Sequence, residues 1–148
     1  MSSIPEAIRW EPTYSIPEIP LAAFDLTWNA DGVLTCVGIY ADHFPEAPEG
    51  VRLRFTGVHA FMSFDLHSDI LVTMGIAVPA LAQPVPYGGC WPFAELVGSP
   101  WTVEVTGRDG TIEPAKFRHW LILSQDATLH VMAHLNCTPE FVEWISRS

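Results

Sequence analysis

Histidines are the first residues in this chain that could do chemistry, because imidazole binds metals and carries protons near neutral pH. His130 and His134 are four residues apart, which on a helix would bring both to one metal ion. The alternation around them instead predicts a strand, where four residues span roughly 13 Å, too far for two bonds of about 2.0–2.1 Å to one zinc. The same objection applies to a second group, formed by His59, Asp65, His67 and Asp69. We predict no metal site and no cofactor.

Two single residues could serve catalysis. Cys90 lies in a Gly- and Pro-containing stretch, but a thiolate needs a nearby base or helix N-terminus to lower its pKa, and no histidine is close in sequence. His119 lies on the aliphatic face of a predicted strand and adjoins Trp120 in sequence. It is either a core histidine satisfied by a hydrogen bond or, with Trp120, part of a functional pocket. Nucleophile-elbow, phosphate-loop, dinucleotide-binding and HExxH motifs are missing, so no catalytic residue is predicted.

The carboxylates are unevenly distributed. Residues 1–49 hold eight of the seventeen acidic side chains and one base, Arg9, and therefore −7 of the net charge of −10. The eight are Glu6, Glu11, Glu18, Asp25, Asp31, Asp42, Glu46 and Glu49. A negative field attracts cationic partners and repels nucleic-acid phosphate and anionic lipid. We expect no nucleic-acid or membrane partner.

The acidic region also contains the predicted partner-binding residues. Asp31 lies in one predicted turn, while Asp42, Glu46 and Glu49 share a loop with Phe44. Carboxylates around an aromatic ring can receive Arg or Lys side chains, with the ring supplying burial. The sequence therefore predicts a binding surface for a basic protein partner, and the alternative is a solvated loop that keeps the protein soluble.

Composition predicts a globular chain. With 148 residues, 49% of them apolar and 16% charged, residues 1–148 are expected to form one domain with ample material for a core. No apolar run approaches the roughly 20 residues of a membrane span. The N-terminus resembles no export signal, and the three cysteines, Cys36, Cys90 and Cys137, are odd in number and widely spaced. These features favour a cytoplasmic protein with reduced thiols.

The elements that must position these residues are mostly predicted strands. Residues 1–20 form a proline-rich arm that packs on the body, and residues 21–136 form an antiparallel sheet. Residues 21–28 and 33–41 alternate around a turn and predict a hairpin. The apolar parity changes at Thr56-Gly57, which predicts a β-bulge or a break between strands.

The remaining segments complete the prediction. Residues 70–78 and 101–106 alternate as strands, and 79–100 is the longest irregular segment. Residues 116–124 and 128–136 form a hairpin in which Ser124 pairs with Thr128, since that register collects the aliphatic side chains on one face. Thr138-Pro139-Glu140 predicts a helix start, and hence a helix over 138–147. The predicted fold class is mainly β (α+β): a curled antiparallel sheet, barrel-like or a sandwich, with a short C-terminal helix.

Part of the pattern is similar to a known group of proteins. The matching stretches are Val51–Asp69, Ser99-Pro-Trp101, Phe117-Arg-His-Trp-Leu-Ile122, Asp126, Leu129-His-Val131 and Pro139. They resemble small bacterial β-rich proteins of unknown function, some of which are similar to immunity proteins that neutralise a cognate toxin. The resemblance implies a cytoplasmic protein that acts by binding, and it brings no catalytic residue.

Three functional hypotheses follow. The first is a non-catalytic, immunity-type inhibitor that binds a basic partner through the acidic 31–49 region. The second is a small-molecule binder or enzyme with a pocket inside the curled sheet near His119. The third is a self-associating subunit, a homodimer that buries a Trp-rich surface.

Overall fold

The computed structural model describes residues 5–65, 71, 74–108, 110 and 112–147. The described residues form nine strands in two antiparallel sheets, a five-stranded sheet of order β1-β6-β7-β8-β5 and a four-stranded sheet of order β2-β3-β4-β9. The strands are β1 Glu6–Arg9, β2 Leu21–Trp28, β3 Leu34–Tyr40, β4 Gly50–Phe55, β5 Val58–Asp65, β6 Phe93–Val97, β7 Phe117–Leu123, β8 Ala127–His134 and β9 Glu140–Ile145. An α-helix, α1 (Pro100–Gly107), and a 3₁₀ turn (Pro114–Lys116) lie between β6 and β7.

The two sheets share one apolar core. Leu34, Leu53 and Phe55 of the four-stranded sheet are buried together with Trp120 and Val131 of the five-stranded sheet. The mainly β, antiparallel prediction is therefore confirmed. Of the two architectures left open, the sandwich fits and the closed barrel does not.

The outer face of the five-stranded sheet is covered as well. Ala94, Leu96, Leu121 and Leu123 form a second buried cluster there with Leu71. Helix α1 packs on β7 from the same side. Strands β6, β7 and β8 are thus buried on both faces, so polar residues on the outer face lie in the interior.

Two local predictions are confirmed. The hairpin forms as β2 and β3, with Trp28 opposite Leu34 next to the turn. Strand β4 ends at Phe55 and β5 begins at Val58, so the chain breaks at Thr56-Gly57 as predicted. The break transfers the chain from one sheet to the other, which explains why the buried parity changes.

The predicted strand over residues 101–106 is wrong, because this segment is helix α1. Ser99 is the N-cap and its side chain accepts the N–H of Thr102, while Pro100 occupies the first turn. Thr102 and Thr106, four residues apart, face the sheet and are buried. Their hydroxyls donate to backbone carbonyls within the helix segment, so the buried polar groups are satisfied.

The predicted helix over residues 138–147 is also wrong, because residues 140–145 form strand β9. It completes the edge of the four-stranded sheet beside β4, where Arg52 pairs with Glu143 and Arg54 with Glu140. Phe, Val, Trp and Ile also favour strands over helices. The open edge of β4 offers backbone hydrogen bonds that outweigh an N-cap signal at Thr138.

The β7–β8 hairpin forms, but its predicted register is wrong by one residue. Leu123, not Ser124, lies opposite Thr128, and His119 lies opposite Met132. The prediction rejected this register because it mixes histidines into an aliphatic face. That reasoning assumed a solvated outer face, whereas both faces are buried and the histidines bond to each other.

The irregular segments were predicted only in part. The arm contains β1, which pairs with β6, and Ile16 belongs to the core, so the arm packs on the body as expected. Residues 66–70, 72 and 73 of the predicted turn and following strand lie outside the described residues, and 74–78 is not a strand. The segment predicted to be irregular, 79–100, is irregular only up to residue 92, because β6 begins at Phe93. No helix in the described part of the chain has the length and apolarity needed to cross a membrane.

Candidate functional site

Three side chains are hydrogen-bonded in series between the start of helix α1 and the outer face of the five-stranded sheet. Ser99 Oγ lies 2.6 Å from His119 Nδ1, and His119 Nε2 lies 2.8 Å from His130 Nδ1. The residues are 6%, 1% and 0% exposed. A hydroxyl aligned with a buried imidazole is the arrangement that activates a serine for nucleophilic attack.

The backbone explains how Ser99 is positioned. Strand β6 ends at Val97, and Gly98 turns the chain with φ +72°, a conformation that glycine adopts without steric cost. Ser99 follows as the N-cap of α1. The hydroxyl therefore sits at the positive end of the helix, where developing negative charge is stabilised.

The observed register brings the two histidines together. His119 on β7 lies opposite Met132, and Leu121, two residues on, lies opposite His130, so the imidazoles are diagonal neighbours on the outer face. Trp101 of α1 packs edge-on against both rings, with centroids 4.9 Å from His119 and 6.2 Å from His130. The indole and the sheet together exclude water from the pair.

Hydrogen-bond accounting assigns the protons. Ser99 Oγ accepts the N–H of Thr102 and has one hydrogen of its own, which the adjacent His119 Nδ1 can accept. His119 then carries its proton on Nε2 and donates it to His130 Nδ1. In the reverse arrangement both Thr102 and His119 would donate to Ser99, and the serine hydrogen would need another acceptor. The first arrangement leaves none of these hydrogens unused.

Burial sets the charge state of His119. Removal from water, with a smaller repulsion from His130, lowers the pKa of His119 well below its usual value. The imidazole is therefore neutral at physiological pH, with Nδ1 available to accept the serine proton. A neutral base beside a hydroxyl is the charge state that general-base catalysis requires.

A cleft of about 800 Å³ opens beside this chain of residues and has Ser99 and His119 in its wall. Its size is within the usual range for small-molecule sites. Most of the wall is apolar and comes from β6, α1, the 3₁₀ turn and the start of β7: Leu96, Val97, Val103, Pro114 and Phe117. The cleft lies on the outer side of the five-stranded sheet, whereas a pocket inside the sheet was expected.

The two charged residues of the cleft wall, Glu95 and Arg118, turn their side chains to the opposite face of the sheet, the face of Trp120, and pair with each other there. Arg118 donates two hydrogen bonds to Glu95, each 2.7 Å long, in a bidentate ion pair. This pairing raises the pKa of Arg118 against the opposing effect of burial. Because this ion pair lies on the face opposite His119, and His119 itself is neutral, the cleft offers no net charge to a ligand.

Only one of the two predicted pocket residues lies at the cleft. His119 is in its wall. Trp120, the next residue on the strand, points to the opposite face and is buried between the sheets, where its ring contacts Trp10 and Arg118. Adjacent residues of a strand face opposite sides, so this pair cannot line one pocket.

The predicted partner-binding residues are brought together only in part. Asp42, Phe44, Glu46 and Glu49 share the loop that follows β3, while Asp31 lies in the turn that precedes it. The seven residues of β3 separate the two by roughly 23 Å. Arg52 and Arg54 pair with Glu143 and Glu140 of β9 and not with these carboxylates.

Arg147 organises the loop after β3. Its guanidinium donates to the carbonyls of Ala41, Phe44 and Ala47 and pairs with the Asp42 carboxylate at 3.1 Å. One of the predicted cation-binding carboxylates is thus already paired within the chain. The side chains of Glu46 and Glu49 stay exposed.

The other candidates give no site in the described residues. Burial raises the pKa of Cys90 to about 11, so its thiol stays protonated at neutral pH. Within the described ranges no three His, Cys, Asp or Glu side chains converge on a point where a metal could bind.

Sequence reasoning missed Ser99 and His130. Ser99 was assigned to an irregular segment, although Ser followed by Pro is a helix-start signal that places the serine at the N-cap. His130 was considered only as a partner of His134. Its pairing with His119 depends on the register of the hairpin, and the alternation of apolar residues predicted the wrong register.

Comparisons with known proteins identify no relative. No family model, curated protein or solved structure matches the chain. The resemblance to immunity proteins stays a prediction.

Proposed function

We propose that the protein binds a small, uncharged and largely apolar organic molecule in the cleft between β6, β7 and α1. The observation that carries this proposal is the cleft itself, with the Ser99 hydroxyl and the His119 imidazole in an apolar wall. Small-molecule sites combine an apolar lining with a few placed polar groups that fix the ligand's orientation. The neutral His119, and the position of the Arg118–Glu95 ion pair on the opposite face of the sheet, favour a ligand without net charge.

A dye titration tests this proposal. Nile red is uncharged and aromatic, and its fluorescence rises when it leaves water. We expect saturable binding to one site. Val103, an exposed residue of α1 in the cleft wall, is the position to change. The V103R variant should weaken binding about 10-fold, because a solvated guanidinium must be accommodated beside an apolar ligand.

The matched control is Leu135, another exposed aliphatic residue, which lies outside the cleft wall. The L135R variant adds the same charge and should leave the affinity unchanged. Equal weakening in both variants, or fluorescence that rises without saturating, would contradict the cleft as the binding site.

A second candidate function is recognition of a basic partner by the acidic patch, defined as Asp42, Glu46 and Glu49 around Phe44. The observation that favours it is a cluster of aromatic rings at the patch. His43 lies 4.2 Å from Phe44 and 5.0 Å from Tyr87 between ring centroids, and Tyr87 is 85% exposed. An exposed tyrosine beside carboxylates suits Arg and Lys side chains.

A synthetic arginine-rich peptide tests the acidic patch. Removing two charges in the E46Q/E49Q variant should weaken peptide binding about 3- to 10-fold at low ionic strength, and the difference should vanish at high salt. The E113Q/D126N variant removes the same charge from exposed positions elsewhere and serves as the control. An equal effect of both variants would show that net charge alone attracts the peptide.

A further inference from the structure

We propose that Ser99 is a catalytic nucleophile, with His119 as its general base and His130 as the residue that supports that base, and that the cleft accepts uncharged carboxylic esters. This inference rests on the proposed ligand-binding cleft and adds a reaction to it. The geometry that carries it is the unbroken series of short contacts from the serine oxygen in the cleft wall to the second, fully buried imidazole.

The first half of the reaction forms an acyl-enzyme. The Ser99 hydroxyl gives its proton to His119 Nδ1 while Oγ attacks the carbonyl carbon of the ester. The carbon–oxygen bond to the alcohol then breaks, and His119 returns the proton to the departing oxygen. One alcohol leaves and one acyl group stays on Ser99, so neither oxidant nor reductant is needed.

Water completes the cycle. A water molecule gives a proton to His119 and attacks the acyl carbon, and the bond to Ser99 Oγ breaks as that oxygen recovers its proton. The products are a carboxylic acid and the original serine. At neutral pH the acid ionises, and the apolar, uncharged cleft favours its release.

His130 is a positioning residue in this scheme. It accepts the Nε2 proton of His119, which fixes the tautomer with a free lone pair on Nδ1 and faces the positive charge that develops there. In the first turn of α1, Pro100 has no N–H and the N–H of Thr102 already donates to Ser99 Oγ, which leaves the N–H of Trp101 at the same end as Ser99. That N–H is the first-turn donor we assign to the oxygen of a tetrahedral intermediate.

The reaction is tested with diisopropyl fluorophosphate, which labels activated serines covalently, and with the ester substrate p-nitrophenyl butyrate, which reports turnover. We expect one label per chain, mapped to Ser99 by peptide mass spectrometry, and release of p-nitrophenolate. The S99A variant should lose both. Because S99A also removes the helix N-cap, S99N is a second variant that keeps a capping oxygen but has no nucleophile. S99N should also lose both labelling and turnover. The control S63A removes a hydroxyl that donates to the carbonyl of Thr128 and should react like the unmodified protein.

The histidines are separated by rate and pH profile. H119Q should lower kcat about 10²- to 10⁴-fold with little change in KM, because the base acts in the transition state. H130F should lower kcat by a smaller factor and shift the acidic limb of the pH–rate profile. A merely structural His130 would change the folded fraction and leave that limb in place.

The outcomes separate this inference from the cleft on which it rests. Saturable Nile red binding without labelling of Ser99 would overturn the catalytic role and leave the binding proposal standing, with the serine acting only as a helix cap. Labelling at another residue, or equal labelling of S99A, would also overturn it. Failure of both Nile red binding and labelling would overturn both proposals.

Discussion

His119 has both ring nitrogens hydrogen-bonded and is almost fully withdrawn from water. A neutral imidazole in that position is satisfied, whereas an imidazolium would have to exist in the interior beside a second histidine. Catalysis places a positive charge on His119 only transiently. His130, hydrogen-bonded to Nε2 of His119, is the residue that can share this charge. The same burial that keeps the base available also makes its protonation costly to the fold.

That cost predicts a pH dependence of stability. An imidazole in the unfolded chain has a pKa near 6.5, while the pKa of folded His119 is lower. At a pH between the two pKa values, His119 binds a proton in the unfolded chain but not in the folded chain. The free energy of unfolding should therefore fall as the pH drops below about 6.5, by up to about 1.4 kcal/mol per pH unit for this group.

Urea unfolding between pH 5 and 7.5 measures that slope. The H119F variant should be less stable at neutral pH, since Ser99 and His130 each lose a partner, but its stability should change less with pH. The exposed His59 provides the control, and H59Q should keep the original slope. An H119F slope equal to that of the unmodified protein would show that another group titrates.

Gly57 illustrates how one residue governs the arrangement of elements. It connects β4 of one sheet to β5 of the other with φ +59°, and a Cβ there would lie 2.5 Å from Cys137 Sγ. Its carbonyl also accepts the N–H of His134 at 2.9 Å. The crossing between sheets therefore requires both a left-handed conformation and the absence of a side chain.

The G57A variant should accordingly be destabilised by two separable effects. Gly88 has φ +72° and open space around its Cβ position, so G88A should show only the conformational effect, about 1–2 kcal/mol. The free energy of unfolding of G57A should fall by about 1–3 kcal/mol more than that of G88A, because the added Cβ overlaps with Cys137. Differential scanning calorimetry of G57A, C137A and the double variant checks this, because C137A should recover part of the loss only in the G57A background. Equal losses in G57A and G88A would contradict the packing explanation.

Elements that local sequence determines were predictable, and those that depend on a neighbour's edge were not. The β2–β3 hairpin and the break at Thr56-Gly57 follow from alternation and turn residues alone. Ser99-Pro100 and Thr138-Pro139 carry the same helix-start signal, yet the first begins a helix and the second precedes a strand. The difference is the free edge of β4, which is a property of the assembled sheet.

The candidate site was predictable to the same extent. His119 could be singled out as a polar residue among aliphatic neighbours. Its contact with His130 could not, because the one-residue difference in register depends on what covers the outer face. That cover is formed by residues before β6 and by α1, which are distant from the hairpin in sequence. Alternation within two strands carries no information about a third layer.

At the scale of the whole molecule, the two halves of the chain are interleaved. Strands β1 to β5 precede residue 87 and strands β6 to β9 follow it, but each sheet contains strands from both parts. Three strand pairs join the halves: β1 with β6, β5 with β8, and β4 with β9. Neither half could complete a sheet of the sandwich by itself.

Interleaving predicts the behaviour of a nicked protein. Tyr87 lies in the irregular stretch before β6 with its ring exposed, so chymotrypsin should cut there early, and Y14S removes a second exposed tyrosine in the arm. In the Y14S background, the two fragments should elute as one particle in size-exclusion chromatography and separate only in urea, because the three strand pairs and the shared core persist after the cut. Y14S/Y87S, which should resist that cut, controls for the site. Fragments that separate without denaturant would show that the covalent connection through residue 87, and not the pairing across it, holds the sandwich together.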